Sequence, residues 1–168
     1  MVDSLSPPRL IDPRGHRFGA GLSVVVLVLG FVTAQPIVIP AVGLALAASA
    51  FFGTRWSALG RPWPLVRRAL RIGPPAELES EVPPRFAQLL GTLGLGLASV
   101  LLLIGGTGSA LPLAAAWLLA TAVAGLQAVL AITGYCLGCR LYFVRWYAPA
   151  LFDRIAGKPP IAPASIAR

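Results

Sequence analysis

Residues 111–140 of the chain read LPLAAAWLLATAVAGLQAVLAITGYCLGCR. An uncharged apolar run, Leu111 to Tyr135, leads directly into the motif CLGCR at residues 136–140. About 20 apolar residues are enough to cross the ~30 Å hydrocarbon core of a bilayer as a helix. This stretch therefore predicts a membrane-spanning helix that brings the chain's only two cysteines to one surface of the membrane.

The composition excludes an ordinary soluble domain. Hydrophobic residues make up 57% of the chain and charged residues only 12%, about half the charged fraction of soluble proteins. Such a chain is also too apolar to be disordered. The net charge of +8 can indicate nucleic-acid binding. Here the arginines flank apolar runs and form no dense patch, so we expect a lipid bilayer as the partner and no nucleic acid.

Three more uncharged runs precede this one, so the sequence predicts an all-α integral membrane bundle of four transmembrane helices. The spans are expected at about 18–34, 37–52, 86–104 and 111–135. The first two runs could instead form one helix of about 52 Å, which is longer than a bilayer needs, so a hairpin is favoured. A signal peptide that ends near Ala34 is a further alternative, but the apolar run is long for one.

The basic residues predict the orientation. All fourteen Lys and Arg lie in residues 1–17, 54–85 or 140–168, which four spans place on one face. Because cytoplasmic segments are enriched in Lys and Arg, both termini are expected in the cytoplasm of a multi-pass protein of the bacterial plasma (inner) membrane. The predicted parts are a cytoplasmic arm (1–17), a membrane domain (18–152) with a cytoplasmic loop (54–85) and an interfacial segment (140–152), and a flexible tail (153–168).

Cys136 and Cys139 form a Cys-x-x-Cys pair, which suits thiol–disulfide exchange because the second thiol resolves a mixed disulfide formed by the first. Counted from Leu111, Cys136 lies about 37 Å along a straight helix, past the hydrocarbon core and within reach of a cytoplasmic partner. Arg140 is expected to support a thiolate, which favours Cys139 as the nucleophile. One feature counts against reactivity, because the C-terminal end of a helix disfavours negative charge.

Other interpretations of the polar residues stay open. The cysteines could be inert packing residues, or part of a metal or iron–sulfur site shared with a partner. Together with His16, in the polar arm, they are too few for a closed zinc site, so no metal or cofactor is assigned. Gln127 could bond to a neighbouring helix or line a quinone or substrate cleft. Leu59 to Ile72 could form an amphipathic helix on the lipid headgroups or an ordinary loop.

Two motifs carry a resemblance. Pro-Pro-Arg-Phe-Ala-Gln at residues 83–88 and Gly-Tyr-Cys-Leu-Gly-Cys at residues 134–139 resemble a family of uncharacterised bacterial membrane proteins, common in actinobacteria. The resemblance covers roughly residues 10 to 145. Members are often encoded near thioredoxin-like and sulfurtransferase proteins, which implies thiol or sulfur chemistry.

The functional hypothesis is therefore a thiol–disulfide or sulfur-transfer role, resembling that of an oxidoreductase, with a cytoplasmic thioredoxin-like or sulfurtransferase partner. The alternative is a non-catalytic membrane anchor or assembly subunit whose cysteines are structural. A second copy of the chain, in a homo-oligomer, is a further expected partner. The two hypotheses differ in whether a Cys→Ser protein keeps its function.

Overall fold

A computed structural model describes residues 9–75, 77–105 and 110–142. Within these ranges the chain is helical apart from turns and one antiparallel pair of two-residue strands, which confirms the all-α class. The elements are β1 (Leu10–Ile11), α1 (Pro13–Val32), α2 (Val38–Phe52), a 3-10 turn (Thr54–Trp56), α3 (Trp63–Ala69), β2 (Glu79–Ser80), α4 (Val82–Gly105), α5 (Ala110–Thr133) and a helix α6 at residues 137–142. The predicted tail at 153–168 and most of the interfacial segment at 140–152 lie outside the described residues.

Helix α1 begins at Pro13, five residues before the predicted start of the first span. The Asp12 carboxylate accepts a hydrogen bond from the backbone N–H of Arg14 at 2.9 Å and caps the helix. Proline is well suited to the position after the cap, where its missing N–H would have no helical partner. The last part of the predicted polar arm is thus helical, and His16 and Arg17 lie on α1.

The first two apolar runs form a hairpin and not one long helix. Helix α1 ends at Val32 and α2 begins at Val38, and Ala34 between them has a φ of 52°. Gly30 lies so close to the Val38 side chain that a Cβ at this glycine would overlap it. The absence of a side chain at Gly30 therefore allows the two helices to approach at the turn.

The four long apolar helices pack in the order α1, α5, α4 and α2, and α1 also contacts α2. Small residues allow the close approaches between these helices. A Cβ at Gly91 would lie 3.0 Å from Leu46, and one at Gly94 would lie 2.9 Å from Val123. The central cluster is apolar and comprises Leu27, Ile39, Val42, Leu46, Leu95, Ala98, Ala116, Ala120 and Val123.

The outer surface of the bundle is apolar too. Helices α1, α4 and α5 are long and apolar enough to cross a membrane, whereas α2 has only 15 residues. Large exposed side chains lie along these helices, and they include Val28, Leu44, Leu93, Leu97, Leu103, Leu118 and Ile132. Contiguous apolar surface on this scale is unfavourable in water. The architecture is that of a membrane protein.

The long polar loop is fastened to the N-terminal end of α1. The Trp63 indole N–H donates to the Asp12 carboxylate at 3.1 Å, and the Trp63 ring lies 5.7 Å from that of Phe18. The Arg67 guanidinium pairs with Asp12 at 3.7 Å. Residues 59–72 were expected to form either an amphipathic helix or an ordinary loop. The structure shows a helix in this segment, α3, which is only seven residues long and packs on α1.

Candidate functional site

The cysteines follow a sharp turn after α5. Helix α5 ends at Thr133, and Gly134 takes the left-handed conformation with a φ of 75° that glycine adopts without steric cost. The Arg17 guanidinium donates to the carbonyl oxygens of Ala131 and Ile132 at 3.4 and 3.1 Å. These bonds satisfy carbonyls that the helix end leaves unpaired. The start of α1 thereby holds the turn in place.

Cys136 stands at the beginning of the next helix. Its carbonyl oxygen accepts from the backbone N–H of Arg140 at 3.1 Å, which is the first bond of α6. Its sulfur accepts from the backbone N–H of Cys139 at 3.2 Å, as an N-cap side chain does. The expectation that the pair ends a helix is therefore wrong. The chain breaks at residues 134–136, and the backbone N–H groups near Cys136 favour negative charge on its sulfur.

The two sulfurs lie at disulfide distance, with the Cα atoms of Cys136 and Cys139 5.1 Å apart. Both cysteines are partly buried, so the pair is neither sealed in the core nor fully exposed. Reversible oxidation needs this proximity, and exchange with a partner needs this access. The geometry is compatible with the chemistry that the Cys-x-x-Cys spacing predicts.

Helix α6 is held against the start of α4. A Cβ at Gly138 would lie 2.7 Å from the Cβ and 2.8 Å from the Cα of Ala87, so only glycine fits there without a shift. The rings of Phe86 and Tyr142 meet at 5.7 Å. The role of Gly138 in this structure is close packing against α4. The two motifs of the resemblance thus form one contact.

Arg140, proposed as a thiolate stabiliser, and Arg85 in the first turn of α4 both have other contacts. The Arg140 guanidinium lies 5.2 Å from the centre of the Tyr135 ring, in cation–π contact. Arg85 donates to the carbonyl oxygens of Ala50 and Phe51 at the end of α2, both at 3.1 Å, and pairs with Glu81. Arg85 therefore caps α2, while a supporting role for Arg140 stays a prediction.

His16 belongs to the site, which the sequence argument missed. One ring nitrogen of His16 and the sulfurs of Cys136 and Cys139 all lie within 4.8 Å of one another. The Nε2 atom of His16 is buried and has no hydrogen-bond partner within the ranges that the structure describes. An unsatisfied buried polar atom costs about 1–3 kcal/mol. An imidazole that has such an atom and lies beside two sulfurs marks this end of the bundle as a candidate site.

A mainly apolar cavity of about 330 Å³ adjoins this cluster and is lined by both His16 and Cys136. Few of its lining side chains are polar. Gln88 accepts a 2.6 Å hydrogen bond from the buried Ser49 hydroxyl, which joins α2 to α4. Gln127 lines the cavity as well, and a quinone or substrate role for this residue stays a prediction. The cavity therefore lies directly beside Cys136.

Comparison with known proteins gives a family but no function. No curated protein and no solved structure matches the chain. A family model does match residues 11–146, which contain His16, both cysteines and all the helices described above. The match covers most of the chain, and its description is a domain of unknown function, DUF4395. The protein belongs to the DUF4395 family.

Proposed function

We propose that the protein carries out thiol–disulfide exchange at a membrane surface through Cys136 and Cys139. The observation that carries the proposal is the disulfide distance between two partly buried sulfurs. Two contacts hold the pair at the end of the bundle. Arg17 donates a hydrogen bond to the end of α5 before the turn, and Gly138, between the cysteines, packs against Ala87. Inert packing residues need no such support.

The exchange has two steps. In the reduced protein, the Cys136 thiolate attacks a disulfide of the partner, forms a mixed disulfide and expels one partner thiolate. The Cys139 thiolate then attacks the Cys136 sulfur, which closes the Cys136–Cys139 disulfide and releases the second partner thiolate. Two electrons pass to the partner, and its two thiolates take up protons from water. The reverse sequence reduces this protein.

Sulfur transfer uses the same two groups. The Cys136 thiolate takes the outer sulfur from a partner persulfide, which leaves a persulfide on Cys136 and a thiolate on the partner. Attack of the Cys139 thiolate on the inner sulfur of Cys136 releases hydrogen sulfide and closes the disulfide. Thioredoxin-like proteins and sulfurtransferases are the partner classes that this chemistry fits.

Cys136 is the better nucleophile on structural grounds. Its sulfur accepts the backbone N–H of Cys139, and this bond strengthens as negative charge develops on the sulfur. The sequence argument preferred Cys139 because of Arg140, but that guanidinium faces the Tyr135 ring. Cys139 then has the role of the resolving thiol.

The proposed topology has four passes with the cysteines on the cytoplasmic side. The start of α1, the end of α2, the start of α4 and the end of α5 all contribute to the cavity or to its rim, so the four helices alternate in direction. Every Arg within the described ranges lies at or beyond this end of the bundle. The positive-inside rule favours the cytoplasm for such an end. Helix α2 then crosses as a short span of about 22 Å.

Trapping of the mixed disulfide tests the exchange. A Cys139→Ser protein in intact cells keeps the nucleophile but cannot resolve the intermediate, so we expect a covalent complex with a partner that reductant dissolves. Cys136→Ser should trap far less, and the double variant, as the matched control, should trap nothing. If neither single variant captures a protein under oxidising stress, exchange with a protein partner is wrong.

A non-catalytic anchor is the second candidate function. Gly96 on α4 and Gly125 on α5 have no atom near the position of a Cβ, so both present small outward surfaces that suit helix association in lipid. This role predicts that a Cys136→Ser/Cys139→Ser protein still assembles and functions. Size analysis in detergent, with Gly96→Leu and Gly125→Leu as disrupting variants, separates assembly from exchange.

A further inference from the structure

The proposed thiol exchange gives no role to His16. Its Nε2 atom is buried with no partner in the described ranges, yet the first turn of α1 places the ring beside both sulfurs. Neither step of the exchange uses an imidazole. An imidazole with an unpartnered buried nitrogen, next to two potential thiolates, is a feature of metal sites.

The three donors match the needs of a thiophilic cation. Zinc bonds to sulfur at about 2.3 Å and to imidazole nitrogen at about 2.0–2.1 Å, so tetrahedral ligand atoms lie about 3.5–3.8 Å apart. The donors of His16, Cys136 and Cys139 already lie within 4.8 Å of one another. Reduction of the disulfide lets the sulfurs separate towards this spacing without movement of the Cα atoms, which are 5.1 Å apart.

We propose that reduction of the Cys136–Cys139 disulfide creates, with His16, a three-ligand site for a thiophilic cation, and that oxidation releases the cation. Zinc(II) fits the charge best, because two thiolates and a neutral imidazole make the site neutral, as burial in an apolar setting favours. Copper(I) shares the preference for sulfur and nitrogen. The proposal rests on the exchange proposed above only for the change of redox state.

The electron balance is simple. A partner disulfide takes two electrons from the two thiolates, the Cys136–Cys139 bond forms, and the metal leaves as an unchanged cation. A partner dithiol reverses the step, and binding of zinc displaces the thiol protons. Three protein ligands leave zinc an open fourth position, and the cavity lined by His16 and Cys136 has room for a small ligand there.

Metal analysis of the full-length protein in detergent tests the proposal. The reduced wild-type protein, loaded with zinc, cobalt as a spectroscopic probe, or copper(I) and then desalted, should retain one equivalent. The diamide-oxidised protein should retain none. Cobalt should give a thiolate charge-transfer band. Zinc and copper(I) in competition then show which cation the site prefers. If the reduced wild-type protein retains no stoichiometric metal of any kind, the proposal is overturned.

Variants separate the ligands from their surroundings. His16→Gln keeps a polar side chain but removes the imidazole, and the metal affinity should fall by at least about 100-fold, since loss of outer-shell partners alone costs 10–100-fold. Gln127 lines the same cavity. The control variant Gln127→Leu should leave the metal affinity unchanged. Equal affinity in His16→Gln and wild-type protein rules out the His16 ligand.

The two proposals fail separately. Disulfide trapping by Cys139→Ser without metal retention by the reduced wild-type protein removes only the metal site. Metal retention without any trapped partner supports the site and removes only the exchange.

Discussion

The two ends of the bundle differ in almost every chemical property. At one end lie the cysteines, His16, the Ser49–Gln88 hydrogen bond and the arginines that cap α2 and α5. At the other, the turn at residues 33–37 carries no charge, and the Phe31 and Trp117 rings meet edge to face at 5.2 Å. Within the described residues, side-chain hydrogen bonds between helices occur only at the first of these ends. The cysteines and His16 lie at that same end.

The largest expected effect is a difference in thiol labelling between the two ends of the bundle, which the proposed topology places on opposite sides of the membrane. After reduction, a membrane-impermeant maleimide should label Cys136 and Cys139 in inverted vesicles and not in right-side-out vesicles. In a Cys136→Ser/Cys139→Ser background, Gln35→Cys at the uncharged turn should show the reverse pattern, because the reagent cannot cross the hydrocarbon core. Labelling of both positions from the same side would contradict the four-pass topology.

A pair of identical substitutions on different surfaces should have opposite effects. Gly138→Ala places a methyl group within 2.8 Å of the Ala87 backbone and should lower the free energy of unfolding by about 1–3 kcal/mol. Gly96→Ala meets no atom within 4 Å and should raise it by up to about 1 kcal/mol through helix propensity. Thermal unfolding in detergent measures both. Faster reduction of the disulfide should accompany Gly138→Ala alone, and similar behaviour of the two variants would refute the docking of α6.

The apolar runs and the cysteine pair could be predicted from the sequence because both depend on residues close together in the chain. Hydropathy gave the helices, and a spacing of three placed the sulfurs together. His16 could not be placed by such reasoning, since it lies 120 positions before Cys136 in the sequence. Its position depends on the packing of α1 against α5, where a Cβ at Gly21 would lie 3.7 Å from the Cβ of Ala131. Tertiary contacts of this kind leave no local pattern.

One local signal for His16 was nevertheless present. Asp12-Pro13 is a helix start, with a capping carboxylate followed by a proline, and it extends α1 by five residues beyond the uncharged run. The sequence argument began the first span at about residue 18, where the uncharged run starts. Charge marks where the membrane ends, but the helix continues past that point. His16 lies in this interval, between the first residue of the helix and the first residue of the uncharged run.

The buried hydrogen bond at the cysteine end should matter more than a similar hydroxyl elsewhere. Ser49→Ala removes the donor to Gln88 and leaves its buried amide oxygen unsatisfied, which should cost about 1–3 kcal/mol. Ser99 donates to Leu95 of its own helix, so Ser99→Ala should change the free energy of unfolding by less than about 0.5 kcal/mol. Thermal unfolding of both variants makes the comparison. Equal losses would mean that the Ser49–Gln88 bond adds nothing specific to this end.

The smallest effect is expected for the arginine that holds the cysteine turn. Arg17→Lys keeps the charge but removes the guanidinium Nη2 atom that donates to both Ala131 and Ile132. The lost bonds are exposed, so the change in stability should stay near 0.5–1 kcal/mol. The consequence is local, because α5 frays from its last turn and the reduced cysteines become more accessible. Alkylation of Cys136 and Cys139 should therefore be faster than in the wild-type protein.

The matched control for this variant is Arg14→Lys. Arg14 donates to the carbonyl oxygen of Gly73 in the polar loop, so its replacement removes a similar bond from α1 without a contact to the turn. The alkylation rate of Arg14→Lys should equal that of the wild-type protein. If both variants accelerate alkylation alike, the effect belongs to the whole start of α1. If neither does, Gly134 and the docking of α6 are sufficient to hold the cysteines in place.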